Sequence, residues 1–116
     1  MFSNIVLIGI DGAGVSFDRN VSKASFLNKF FANGSLIYVD ANIPTDSAEN
    51  WGSIITGVIP CKHNFKYEML DGPYKCGYPN IFKIICDKFS HYKVAAFASW
   101  EKIITGMIES EIVMSK

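Results

Sequence analysis

The apolar and polar positions of the chain alternate between continuous aliphatic runs and stretches with helical spacing. Residues 4–10, 35–43 and 92–98 are runs rich in β-branched, aliphatic and aromatic side chains. The continuous run at residues 4–10 is typical of a strand that is covered on both faces, as in a parallel sheet. We therefore predict three strands in these positions.

Helical periodicity lies between and after these runs. Apolar side chains recur at helical spacing after residue 24, after residue 46 and after Pro79, where proline suits a helix start. The order of strand, helix, strand, helix, helix and strand predicts an α/β fold, mainly a parallel sheet with crossover helices, although three strands leave that sheet incomplete. The predicted helices are residues 24–33, a segment that opens at Asp46 or Ser47 and runs to about Thr56, and a segment from Pro79 to about Phe89, followed by a helix or turn at residues 99–104.

The second predicted helix has clear boundary signals. Asp46 followed three residues later by Glu49 has the form of a capping box, with aspartate at the cap. Gly57 is expected to end the helix, and Pro60 to prevent its continuation. Residues 61–78, which are rich in glycine, proline, tyrosine and lysine, are predicted to be a loop.

Composition limits the classes of protein that fit. A chain of 116 residues with 49% hydrophobic side chains suits one packed domain, residues 1–116. Eleven basic and eleven acidic residues cancel, so long-range attraction to a nucleic-acid polymer or an anionic membrane is not expected. The composition gives no prediction for the oligomeric state.

The same sequence points to a cytoplasmic location. The apolar start of the chain is short, has no basic residues before it and runs directly into Asp11, which is unlike a signal peptide. No stretch approaches the roughly 20 apolar residues of a membrane span. Three cysteines without a CxxC pair favour a reducing compartment over a disulfide framework.

Two short polar motifs carry the candidate chemistry. Asp11 follows the first predicted strand, and Ser47 follows the second at a helix start, where backbone N–H groups favour anions. The carboxyl ends of neighbouring parallel strands share one edge of the sheet, where ligands bind. Asn50 lies three residues after Ser47, on the same side of the helix. This arrangement offers a metal ligand (Asp11), a nucleophile (Ser47) and an amide donor to a phosphate oxygen (Asn50).

The polar residues of these two motifs also have purely structural interpretations. Asp11 can cap a turn, Ser47 can cap a helix, and Asp46 is assigned mainly to capping. His63 is interpreted as a hydrogen-bonded structural residue. The glycines near Asp11 are spaced GxxGxG and not GxGxxG, which disfavours a dinucleotide site.

Two motifs together resemble the alkaline phosphatase superfamily, and its nucleotide pyrophosphatase/phosphodiesterase branch in particular. They are IGIDG at residues 8–12 and PTDSAENWGSIITGVIPCKH at residues 44–63, and FASWEKI at residues 97–103 is similar as well. Asn64 stands where the family usually has glycine, a replacement compatible with left-handed backbone. The residues after Ser47 lack the proline and arginine of the sulfatase pattern.

The resemblance implies a metal-dependent hydrolase of small phosphate esters with a phosphoserine intermediate. It implies that Asp11 binds one of two divalent ions of the zinc type, that Ser47 is the nucleophile and that Asn50 binds phosphate. The family completes its metal site with further Asp and His residues, whereas His63 and His91 lie in no ligand motif. We therefore expect an N-terminal portion of such an enzyme, inactive by itself; a non-catalytic fragment with an anion-binding helix start and a phosphomutase are the alternatives.

Overall fold

A computed structural model describes residues 4–14, 25–35, 37–109 and 112, without the side chains of residues 25–27. The chain divides into two compact units, Met1–Asp40 and Ala41–Lys116. The prediction of a single domain over residues 1–116 stays a prediction.

The first unit contains helix α1, Ser25–Ala32, which confirms the helix predicted at residues 24–33. Of its predicted apolar stripe, Phe26 and Leu27 lie outside the described side chains. Phe30 and Phe31 contact each other edge to face, with ring centroids 6.2 Å apart. Phe30 is largely exposed, so this part of the predicted stripe is not buried.

The second unit contains four α-helices and one 3₁₀ helix among its described residues. Local capping residues account for two helix starts, because the side chain of Asp46 accepts from the N–H groups of Ala48 and Glu49, and that of Asn80 accepts from Lys83 N. The helices are α2 (Ser47–Thr56), α3 (Pro60–His63), the 3₁₀ helix (Tyr67–Leu70), α4 (Ile81–Lys88) and α5 (Glu101–Gly106).

The observed end of α2 agrees with the sequence prediction, whereas α3, the 3₁₀ helix and the start of α4 differ from it. Gly57 adopts left-handed backbone with φ 70° and donates its N–H to Ser53 O at 2.9 Å, which ends α2 as predicted. The predicted loop at residues 61–78 instead contains most of α3 and the 3₁₀ helix. The helix predicted to start at Pro79 begins at Ile81, because Asn80 is its capping residue.

The core of the second unit brings together residues that are distant in sequence. Ala48 and Ile55 of α2 cluster with Phe65, Leu70 and Met107, all at most 7% exposed. Full burial of one side chain of the size of leucine, isoleucine, phenylalanine or methionine contributes about 1.5–3 kcal/mol. The core therefore holds α2 against the segment that follows α3. No helix in the described part of the chain is long and apolar enough to cross a membrane.

The predicted parallel sheet is wrong for the described residues, which form helices and no strand. Residues 4–10, 37–40 and 92–98 have no assigned secondary structure, and residue 36 of the second predicted strand lies outside the description. Ile5, Val6 and Ile8 are 77–86% exposed, so the first run is not covered on two faces. The physical reason is that a strand needs hydrogen bonds from another segment, whereas a helix satisfies its own backbone.

Candidate functional site

The start of helix α2 places Ser47 at the first helical position. Asp46 is the capping residue, with φ −77° and ψ 135°, and its Oδ1 accepts from Ala48 N at 2.8 Å and Glu49 N at 3.4 Å. Capping thus belongs to Asp46, as the sequence predicted, and the α2 cap does not require the hydroxyl of Ser47. The Ser47 side chain is half-buried at the positive end of a ten-residue helix.

Asn50 lies three residues further along α2 and joins the helix to the preceding loop. Its Oδ1 accepts from Asn42 N at 2.9 Å, and its Nδ2 donates to Asp46 O at 3.0 Å and to Asn42 O at 3.4 Å. The first turn of α2 thus holds both Ser47 and Asn50, as their spacing predicted. Its bonds fix the amide orientation, since only the oxygen can accept from Asn42 N.

Behind this turn, Ser53 and His63 form a hydrogen-bonded pair. His63 Nδ1 accepts from Phe65 N at 3.0 Å, so in the neutral ring the proton lies on Nε2, which donates to Ser53 Oγ at 3.0 Å. Ser53 Oγ donates to Glu49 O at 3.0 Å and accepts from Asn42 Nδ2 at 3.2 Å. The prediction that His63 is hydrogen-bonded is confirmed.

The imidazole of His63 is packed tightly against α2. A Cβ atom on Gly52 would lie 2.5 Å from Phe65 Cδ2 and 2.8 Å from His63 Cε1, so these rings lie directly on the helix backbone. His63 is 3% exposed. Burial lowers its pKa below the ordinary value of 6.5, and the hydrogen bond and charge of Glu49 oppose this shift only in part. The ring is therefore neutral at pH 7.

The backbone after His63 turns through a left-handed residue. Asn64 has φ 53° and ψ 30° and donates its N–H to Pro60 O at 2.8 Å, which ends α3. Asparagine tolerates this conformation better than most residues with a side chain. The expectation that Asn64 adopts left-handed backbone is confirmed.

Asp11 lies in a turn of the first unit and is exposed. Ser47 belongs to the second unit, and the meeting of Asp11 and Ser47 at one edge stays a prediction. Among the described residues no group of three or more His, Cys, Asp or Glu side chains is placed to hold a metal ion. The described residues therefore do not supply a complete metal site.

Sequence reasoning missed Asn42 and Ser53, which connect Asn50 to His63. Ser53 carries a weak signal, since it lies three residues after Asn50 and so on the same side of α2. Asn42 carries none, because its contacts with Asn50 and Ser53 depend on the path of the loop before Pro44.

Comparison with known protein families identifies a match over the first part of the chain. The family described as Type I phosphodiesterase / nucleotide pyrophosphatase matches residues 5–71. The match includes both motifs, residues 8–12 and 44–63, and so contains Asp11, Ser47 and Asn50. No curated protein and no solved structure matches the chain. Since the match covers more than half of the 116 residues and agrees with the motifs read from the sequence, the chain belongs to the type I phosphodiesterase/nucleotide pyrophosphatase family.

Proposed function

We propose that this chain takes part in hydrolysis of phosphodiester or pyrophosphate bonds, with Ser47 as the nucleophile. Family membership supports a phosphoesterase function acting on small phosphate esters. The observation that carries the assignment to Ser47 is its place at the first position of a capped helix, inside the matched region. The helix dipole favours a negatively charged phosphate there by about 0.3–1 kcal/mol.

Asn50 is the proposed donor to a phosphate oxygen. Its Nδ2 donates a hydrogen bond to Asp46 O at 3.0 Å. Its contact with Asn42 O is longer, at 3.4 Å, which is beyond the usual range of about 2.7–3.2 Å. The weaker of these two contacts is the one that a phosphate oxygen would replace. The stronger bond, together with the bond from Asn42 N to Oδ1, would keep the amide in place during the exchange.

The proposed reaction proceeds in two steps. Ser47 Oγ bonds to phosphorus while the bond from phosphorus to the leaving oxygen breaks, and the serine proton ends on the departing alcohol or phosphate. Water then attacks the phosphoserine, which restores the hydroxyl and releases the second product. Asn50 Nδ2 and the backbone N–H of Ser47 would stabilise the charge on the non-bridging oxygens.

The two divalent ions implied by the family need more ligands than the described residues provide. Asp11 is proposed as one carboxylate ligand, and a single carboxylate does not hold two ions. Since no three candidate side chains converge within the described ranges, the residues present do not fit a complete two-ion site. The mechanism above is therefore limited to Ser47 and Asn50.

The test compares a preparation of the protein that hydrolyses phosphodiesters in the presence of added Zn²⁺ with the same preparation of its Ser47→Ala variant. Release of nitrophenol from bis(p-nitrophenyl) phosphate should fall to the uncatalysed rate, because alanine has no nucleophile, and phosphoserine should disappear from acid-quenched reactions. Thr56→Ala is the matched control, since Thr56 carries a hydroxyl at the far end of the same helix, bonded to Gly52 O. Full activity of Ser47→Ala would remove Ser47 from the mechanism.

A further inference from the structure

We infer that His63 is a positioning residue, which orients the Asn50 amide through Ser53 and Asn42. The inference rests on the proposed function, because it concerns how the phosphate donor of that site is held. His63 is ten residues from Ser53 in sequence and does not contact Asn50 among the described hydrogen bonds. Its influence passes through two intermediate residues.

The bond from Phe65 N to His63 sets the direction of the other hydrogen bonds in the series from His63 to Asn42. Because the N–H of Phe65 occupies His63 Nδ1, the neutral ring donates from Nε2 to Ser53. Ser53 has a single hydroxyl hydrogen, which points to Glu49 O. Its oxygen must therefore accept both remaining bonds, one from His63 Nε2 and one from Asn42 Nδ2.

Asn42 transfers this constraint to the candidate site. Its side chain is held by Ser53 Oγ at 3.2 Å, while its backbone N–H donates to Asn50 Oδ1 and its carbonyl accepts from Asn50 Nδ2. Fixing the side chain of Asn42 thus fixes both backbone groups that orient the Asn50 amide. Loss of the bond at Ser53 would release Asn42, and the bond from Asn50 Nδ2 to Asp46 O would then hold the amide alone.

Tight packing holds the ring of His63, where this series of hydrogen bonds begins, in place. His63 is 3% exposed, its ring centroid lies 5.1 Å from that of Phe65, and both rings lie on the backbone of α2 at Gly52. The imidazole cannot turn without displacing the Phe65 ring from the core. A rigid, buried donor suits a residue that fixes the orientation of others.

The alternative is that His63 only stabilises the turn at Phe65. Two substitutions separate the roles, because each retains one of the two ring functions. His63→Gln places an amide nitrogen near the position of Nε2 and retains the donor to Ser53. His63→Asn places an oxygen near the position of Nδ1 and retains the acceptor for Phe65 N.

The experiment records side-chain amide resonances by ¹⁵N–¹H NMR on the full chain. In His63→Asn and in Ser53→Ala we expect the Asn50 and Asn42 amide signals to shift together, and in His63→Gln to stay near their wild-type positions. Thr56→Ala is the matched control, because Thr56 makes the same type of bond to the carbonyl four residues earlier as Ser53 does. The Asn33 amide, bonded to Lys29 O, is the internal reference.

Two outcomes would overturn the inference. One is an unchanged Asn50 signal in both His63→Asn and Ser53→Ala. The other is an equal shift in His63→Gln and His63→Asn, which would mean that the turn at Phe65 and not the bond to Ser53 controls the amide. Ser53→Ala keeps the test decisive if a His63 variant fails to fold, since it leaves the bond between Phe65 N and His63 intact.

Titration with inorganic phosphate separates the inference from the proposed function. Phosphate should shift the Asn50 amide of the wild type, with binding roughly three- to tenfold weaker in His63→Asn, the effect of one neutral hydrogen bond. A wild-type Asn50 signal that phosphate leaves unmoved would refute the phosphate-binding role. In that case the variant spectra without phosphate still decide whether His63 orients the amide.

Discussion

Replacement of Gly52 by alanine tests the packing that surrounds His63. The new methyl carbon would lie 2.5 Å from Phe65 Cδ2 and 2.8 Å from His63 Cε1. Carbon atoms in contact are normally about 3.5–4.0 Å apart, so both rings would have to move by roughly 1 Å. His63 and Phe65 are at most 4% exposed, so neither ring can move aside without disturbing its neighbours.

The magnitude follows from three terms. Overpacking of a core costs about 1–3 kcal/mol, and displacement of His63 weakens its two hydrogen bonds, each contributing about 0.5–1.5 kcal/mol. Alanine recovers about 1 kcal/mol through its higher helix propensity. We therefore expect the free energy of unfolding to fall by about 2 kcal/mol.

Urea unfolding followed by circular dichroism measures this change. Gly77→Ala is the control, because a Cβ atom there meets nothing within 4 Å and the residue is not in left-handed backbone; its unfolding midpoint should remain that of the wild type. Phe65→Leu in the Gly52→Ala background should recover part of the loss, as expected for two residues that share one space. A Gly52→Ala variant as stable as the wild type, or more stable, would refute the packing argument.

Two further predictions concern the same part of the molecule. Asp46→Ala should lower the free energy of unfolding by about 1 kcal/mol through loss of the α2 cap, whereas Asp46→Asn should retain most of it; urea midpoints compare the two. Burial lowers the pKa of His63 in the folded protein, so the imidazole binds a proton more tightly in the unfolded chain than in the folded one. The free energy of unfolding should therefore be highest above about pH 6.5 and should decrease as the pH falls below that value. Urea midpoints measured at a series of pH values should decrease less steeply in His63→Gln than in the wild type, whereas the control His91→Gln, at an exposed histidine, should keep the wild-type slope. Equal slopes in the wild type and both variants would contradict the assignment of the pH dependence to His63.

Features that depend on neighbouring residues were predictable from the sequence. Asp46 caps α2, Gly57 ends it, and Asn64 adopts left-handed backbone, all as expected. Each of these choices is determined within a few residues, by a cap or by the φ that a residue tolerates. The family was identified for the same reason, since its motifs are continuous segments.

Features that depend on distant segments were not predictable in the same way. The aliphatic run at residues 4–10 indicates a preference for burial, but it does not say which segment would supply backbone partners. The link from His63 to Asn50 passes through Asn42, whose position depends on the loop before α2. Periodicity and motif spacing contain no information on such contacts.

The exposure of residues 5–8 has a practical consequence for anyone who purifies this polypeptide. Four consecutive aliphatic side chains that are 72–86% exposed promote adsorption to plastic and to air–water interfaces, and association with other molecules. Precipitating salts such as sulfate strengthen that tendency, and cooling weakens it. Dilute, cold, sulfate-free buffers are therefore the conditions in which the spectra and titrations described above should be recorded.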